Sequence, residues 1–185
     1  MNADAILLAG PPGAGKSTTA RRLAETFPTS VHLHTDDFWG YIASGAIPPY
    51  HPESEAQNQV VMRAVRRAAF TYAEGGFTTV VDGVVGPWML DHFRGVDGAP
   101  RLHYLVLRPE REETLRRAQG RTEPDVLTEE GPIVAMWDQF ADLGELERHV
   151  LDTTAQQPAE TVQAVAEAVA SGRFLLEASD DGSSV

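Results

Sequence analysis

There is no cysteine among the 185 residues, which excludes disulfides, thiolate metal sites and cysteine nucleophiles. That absence fits a reducing compartment. Long apolar runs are missing too. No stretch approaches the roughly 18 consecutive apolar residues of a membrane span. The opening Met1-Asn2-Ala3-Asp4 has neither the basic start nor the apolar core of a secretion signal, so a cytoplasmic location is the expectation. Basic side chains are scarce, 15 against 27 acidic ones, for a net charge of −12. Such an excess repels phosphate backbones and anionic membranes at long range. It argues against nucleic acid and membrane as partners, while leaving room for a local basic cluster to hold one anionic ligand. The six histidines, at 32, 34, 51, 92, 103 and 149, show no metal-ligand spacing with a carboxylate partner, and no zinc site is expected. Neither an internal repeat nor an interdomain linker is visible.

What the chain does contain is alternation. Short apolar runs at residues 5–9, 31–34, 77–81, 102–107 and 150–151 are separated by helical patterns. Ala20, Leu23, Ala24 and Phe27 recur on one helical face, and Val61, Ala64, Val65, Ala68, Ala69 and Tyr72 form a longer stripe that Gly75-Gly76 stops. Residues 87–93 read as a brief helix. Ile133, Met136, Trp137 and Phe140 mark one further face, and Val162, Val165, Ala166 and Val169 another. Continuous apolar strands alternating with helices predict an α/β fold, a parallel sheet covered on both sides. One domain is expected over residues 1–176, followed by a disordered acidic tail at 177–185. Two long polar or irregular connections, residues 40–54 and 120–131, have the character of binding loops or lids.

The sharpest motif is Gly10-Pro11-Pro12-Gly13-Ala14-Gly15-Lys16-Ser17, a full match to G-x-x-x-x-G-K-[ST]. It follows an apolar strand and precedes an amphipathic helix, as its chemistry requires. The glycines permit tight, partly left-handed turns that aim successive N–H groups at phosphate oxygens. The helix start adds its positive dipole end. Lys16 supplies a flexible point charge for the β- and γ-phosphates. Ser17 offers a hydroxyl to Mg²⁺, and Thr18 and Thr19 offer further hydroxyls toward the α-phosphate. A nucleoside triphosphate with magnesium, MgATP in preference, is the expected cofactor. No N-K-x-D motif reads a guanine base. The third strand ends Val80-Val81-Asp82-Gly83, with no adjacent glutamate to activate water as in motor ATPases. Transfer of phosphate to a bound hydroxyl therefore fits better than a switch or a motor.

Ligands of open α/β sheets lie at the carboxyl ends of strands. The second strand runs into Thr35-Asp36-Asp37-Phe38-Trp39. A carboxylate there can accept the proton of an attacking hydroxyl or hold metal-bound water, and either aspartate can instead cap the next helix. Asp36 is the functional candidate. Asp37, expected on the other side of the strand end, is the alternative metal-side carboxylate. Asp82 is expected to reach Mg²⁺ through water, beside Ser17. Arg108, Arg111, Arg116, Arg117 and Arg121 gather the basic charge. Arg117 and Arg121, four apart, share a face if their helix extends that far, and lid cations of this kind meet charge on a transferring phosphate. Arg116 reads as a surface partner of Glu110, Glu112 or Glu113. Trp39, Tyr41, Tyr50 and Trp88 lie on irregular segments near the expected substrate mouth, where they suggest a partly apolar acceptor pocket.

The phosphate loop, Asp36-Asp37-Phe38, Val80-Val81-Asp82-Gly83 and Leu115-Arg116-Arg117-Ala118-Gln119-Gly120-Arg121 together resemble the P-loop kinase group of polynucleotide kinase, zeta toxin and chloramphenicol phosphotransferase. The resemblance covers roughly the first two thirds of the chain. It implies a three-layer sandwich with a five-stranded parallel sheet in order 2-3-1-4-5, helices on both faces, and a lid. It implies Asp36 as general base and Arg117 and Arg121 as lid arginines on the transferring phosphate. It also implies that Asp152-Thr153-Thr154 lies beside adenine, with Thr153 a nucleotide contact. The expected reaction passes the γ-phosphate of MgATP to a hydroxyl of a small molecule: an antibiotic, sugar, nucleotide sugar or nucleoside. A kinase of nucleic-acid ends and a nucleotide-dependent regulatory ATPase without an acceptor stand as alternatives. Acceptor identity is written in residues 40–54 and 83–94, where no pattern names it, and the sequence leaves the oligomeric state open.

Overall fold

The computed structural model describes residues 2–122 and 127–176; the expected tail at 177–185 lies outside them. Strand β1 (Ala5–Ala9) is buried along its whole length, as expected of an apolar run too short for a helix. The chain then passes through the phosphate loop into α1 (Lys16–Ala24), β2 (Ser30–His34), α2 (Thr35–Gly40), a loop with one 3₁₀ turn, and α3 (Glu55–Glu74). There follow β3 (Thr78–Asp82), the short α4 (Pro87–Leu90), β4 (Leu102–Leu107), α5 (Arg111–Gln119), α6 (Glu130–Asp138), β5 (Val150–Leu151) and α7 (Pro158–Ala170). The five strands form one parallel sheet in the order β2-β3-β1-β4-β5.

Side chains alternate across β1, so its odd and even positions seed two cores. Ala5, Leu7 and Ala9 join Val61, Val65 and Phe70 of α3 on one face. Ile6 and Leu8 join Ala20 and Leu23 of α1 and Val165 of α7 on the other. The buried stripe of α3 runs through Val61, Met62, Val65, Ala69, Phe70 and Ala73. It is rotated from the stripe the sequence suggested, for Ala64 and Tyr72 are exposed. The larger Met62 and Phe70 bury more apolar surface than the alanines they displace from the core side. No helix among the described residues is long and apolar enough to cross a membrane.

The topology reverses at β1, whose neighbours β3 and β4 lead to opposite sides. The carboxyl ends of β1, β2 and β3 therefore open toward one crevice. Residues 40–54 border it and are held by the first turn of α3. Gln57 accepts from the Ile47 N–H at 2.9 Å and donates to the Ile47 carbonyl at 2.7 Å. Asn58 donates to the Pro49 carbonyl and to Ser54 Oγ, each at 2.8 Å.

Candidate active site

The phosphate loop keeps its shape through its glycines. Gly10, Gly13 and Gly15 all have φ in the left-handed half of the map, at 138°, 87° and 88°. A β-carbon on Gly10 would collide with the Leu107 carbonyl at the end of β4, and one on Gly13 with the Thr114 carbonyl and Ala118 of α5. Conformation and close packing both demand glycine there. Gly15 is the N-cap of α1, so the helix presents its unpaired N–H groups where the loop ends.

Lys16 is buried, 7% exposed, and its Nζ donates to the Pro11 carbonyl at 2.9 Å. Burial lowers its pKa to about 8, with Asp82 and Asp36 pulling upward and Arg121 adding to the depression. Ser17 Oγ donates to Asp82 Oδ2 at 2.6 Å. Asp82, at the end of β3, is fully buried. Burial favours its neutral form, yet hydrogen bonds from His32, His34 and Ser17 more than offset this and hold the carboxyl well below its usual range.

The two histidines are what sequence reasoning missed. His32 Nε2 donates to Asp82 Oδ1 at 2.6 Å, and His34 Nδ1 reaches both carboxylate oxygens, at 3.2 and 3.1 Å. His34 Nε2 lies 3.5 Å from Asp36 Oδ2, so this imidazole bridges the two candidate carboxylates. Its hydrogen bond to Asp82 raises its pKa, against burial and with help from the charges of Asp82, Asp36 and Asp37. A signal was present: His32 and His34 are two apart on one strand and share a face. Only the β2–β3 register, which sets His34 opposite Asp82, shows what that face meets.

Lys16, Ser17, Thr18, Asp36 and Arg121 line one cavity of about 640 Å³. Trp39, Pro49, Tyr50, Val84, Leu127 and Met136 make its outer walls. Asp36 and Asp37 both sit in the first turn of α2, where neither side chain caps the helix. Asp36 faces the cavity; Asp37 is exposed and does not line it. Of the four aromatics expected at the mouth, Trp39 and Tyr50 are on the wall. Tyr41 is 75% exposed, and Trp88 packs edge-on against Phe140, with centroids 5.5 Å apart.

The two arginines part company. Helix α5 ends at Gln119 with Gly120 as its C-cap, so Arg117 and Arg121 do not share a helix face. Arg121 lines the cavity with Lys16. Arg117 turns the other way, into a second cleft of about 320 Å³. There its Nε donates to Glu113 Oε1 at 2.6 Å, and its Nη2 to the carbonyls of Thr153 and Thr154, both at 3.1 Å. Arg116 pairs with Glu113 on the surface. Thr154, Ala155 and Gln156 line the second cleft, whereas Thr153 is fully buried and its hydroxyl has no hydrogen-bond partner. The turn after β5 points the Thr153 side chain inward and leaves its carbonyl to Arg117. Gly15 and Thr18 border both cavities, so the phosphate loop and the start of α1 lie between them.

Ser17 and Asp82 form an oxygen donor pair suited to magnesium. Among the described residues no group of three or more His, Asp or Glu side chains could hold a metal ion. A site with so few protein ligands fits an ion that keeps most of its waters and takes further ligands from phosphate.

Known proteins share this fold. The adenylate kinase of Pyrococcus furiosus is 28% identical over 130 residues, which is 63% of this chain and 56% of that protein. The chain thus spans little more than half the length of the curated relative it matches. An unliganded sugar kinase from Janibacter sp. HTCC2649 superposes with a TM-score of 0.70 at 20% identity, covering 91% of this chain and 95% of its own. The tunicamycin resistance protein of Deinococcus radiodurans gives 0.62 at 18% identity, over 95% and 99%. At these identities the two structures establish the shared fold. The family model described as AAA domain matches residues 6–158, most of the chain, and the protein belongs to that family.

Proposed function

We propose that this protein is an ATP-dependent phosphotransferase that passes the γ-phosphate of MgATP to a hydroxyl of a small molecule, with residues 1–176 as a single catalytic domain in the cytoplasm. The observation that carries this reading is the juxtaposition of Asp36 with Lys16, Ser17 and Arg121 on one cavity. A carboxylate, a phosphate-side lysine and an arginine converge there, and the cavity has room beyond the phosphate loop for an acceptor. The similar proteins, a sugar kinase and an adenylate kinase, support the same chemistry. Asp36, in the turn that follows β2, faces Arg121 across the cavity, and this pair supports a place beside polynucleotide kinase, zeta toxin and chloramphenicol phosphotransferase.

In this reading the triphosphate lies along residues 10–18. The loop N–H groups and Lys16 hold its β- and γ-oxygens. Ser17 and, through water, Asp82 would hold Mg²⁺, which would supply positive charge to the phosphates. The nucleoside extends across Gly15 and Thr18 into the second cleft, where Arg117 keeps residues 153–156 in place. Asp36 orients the acceptor hydroxyl and takes its proton as the oxygen attacks, and Arg121 meets the charge spreading on the transferring phosphoryl group. His34 fixes Asp36 relative to Asp82.

The family description raises a second reading, an ATPase without an acceptor. Gly83 rather than a glutamate follows Asp82, so the position that activates water in such enzymes carries no base. Asp36→Asn separates the two. It keeps side-chain shape and removes the charge. The variant should bind MgATP as the wild type does and transfer phosphate about 10²–10⁴-fold more slowly. Undiminished acceptor phosphorylation by Asp36→Asn would sink the assignment.

A further inference from the structure

The outer half of the main cavity differs in chemistry from the phosphate half. Among the described residues lining the cavity, the cations are Lys16 and Arg121, and both are engaged by the triphosphate in the reading above. Residues 123–126, Glu-Pro-Asp-Val, add no lysine or arginine to the chain. Of the other side-chain nitrogen donors on the cavity, His34 is committed to Asp82 and Asp36 and Trp39 to Asn58. What faces an acceptor is the Asp36 carboxylate, 75% exposed, and an apolar wall.

That wall is built rather than incidental. Trp39 Nε1 donates to Asn58 Oδ1 at 2.8 Å. The same Asn58, buried at 7% exposure, donates from Nδ2 to the Pro49 carbonyl and to Ser54 Oγ, each at 2.8 Å. One amide thus joins α2, the loop of residues 40–54 and α3, using both its donor and its acceptor. It sets Trp39 and Pro49 in fixed positions, with Tyr50 beside them on the cavity. Preorganised aromatic surface of this kind binds flat or partly apolar ligand faces with little entropy left to lose.

We propose that the acceptor is a hydroxyl compound bearing no phosphate or carboxylate, neutral or amine-bearing, which lays an apolar face on the Trp39–Pro49–Tyr50 wall held by Asn58. A phosphate or carboxylate there would lose water without gaining a guanidinium or ammonium partner, and would meet the like charge of Asp36. The inference rests on the phosphotransferase reading and narrows it: nucleoside monophosphates, nucleotide sugars and sugar acids are excluded as acceptors, and nucleosides, neutral sugars and amine-bearing antibiotics are retained.

The test is acceptor-dependent ADP release across a library of hydroxylated metabolites and antibiotics that includes matched pairs. Such pairs keep every hydroxyl and differ by one anionic group: phenyl β-glucoside with 4-carboxyphenyl β-glucoside, uridine with 5-carboxyuridine, and N-acetylglucosamine with N-succinylglucosamine. The expected hits lack phosphate and carboxylate, and exceed their anionic counterparts by at least about 100-fold in kcat/KM, the scale of one unpaired like charge. Tyr50 is 60% exposed, so Tyr50→Ala will fold. It should raise KM for the acceptor about tenfold and leave KM for ATP unchanged, with Asn58→Ala doing the same more strongly. An anionic compound used as well as its neutral counterpart overturns the inference, as does an unchanged acceptor KM in Tyr50→Ala. ATP binding with no ADP release from any compound of either class overturns the phosphotransferase reading itself, and this inference falls with it.

Discussion

Raising the pH through 8 should discharge Lys16 in the free protein and weaken nucleotide binding. The lysine is enclosed by its own loop, and burial brings its pKa from 10.5 down to about 8. In the unfolded chain lysine titrates near 10.4. Between the two values the unfolded state holds more protons than the folded state, so stability of the nucleotide-free protein rises with pH across that window. Below pH 8 the charged, buried lysine costs about 3 kcal/mol, an order-of-magnitude figure at 1.36 kcal/mol per unit. Nucleotide reverses the preference, because phosphate oxygens favour the ammonium form. Above pH 8 binding must therefore take up a proton, and the dissociation constant should climb about tenfold per pH unit. The phosphates, with a second pKa near 6, do not titrate in this range. Calorimetry with Mg·ADP at pH 7, 8 and 9, in buffers of different ionisation enthalpy, reads both quantities. The expected result is an affinity about tenfold weaker at pH 9 than at pH 7, with proton uptake approaching one. A flat dissociation constant with no proton uptake would show that Lys16 stays charged in the free protein, and the argument from burial would be wrong.

The two arginines should separate kinetically. Arg121→Ala should lower kcat by at least about 100-fold with little effect on KM for ATP. Arg117→Ala, which removes the tie to the Thr153 and Thr154 carbonyls, should chiefly raise KM for ATP; equal kcat losses in both would restore a shared phosphate role. Gly13→Ala places a side chain at φ 87°, for about 1–2 kcal/mol, and drives it into the Thr114 carbonyl. Its Tm should fall by at least about 4 °C, and an unchanged melting curve would contradict the loop packing. Asp82→Asn should raise the magnesium concentration for half-maximal activity by about 10–100-fold, read from Mg²⁺ titrations at saturating ATP.

Several features of the site were legible in the chain because the residues responsible are neighbours. The phosphate loop is one contiguous segment in which three glycines set the turns, and its flanking strand and helix follow from short-range periodicity. The alternation of apolar strands and helices specified a parallel sheet, but the order β2-β3-β1-β4-β5 came from family resemblance. Periodicity says how a segment buries a face and nothing about which strand lies next to it.

What tertiary structure decided concerns residues far apart in sequence. His32 and His34 meet Asp82 across about 50 positions because β2 pairs with β3 in one register, and a shift of one residue would turn both imidazoles to the other face. Arg117 and Arg121 fit one helical spacing on paper, yet Gly120 ends the helix between them and sends them to different cavities. Thr153 belongs to the expected nucleotide segment, but its side chain is buried and its neighbours line the cleft. Asn58 is an ordinary polar residue in a helix pattern until the fold brings Trp39 and Pro49 to its amide. Local backbone geometry is set by residues a few positions apart, and so the phosphate loop could be read directly. The acceptor wall and the histidine–carboxylate bridge depend on how separate elements pack, and packing is a property of the assembled sheet and helices.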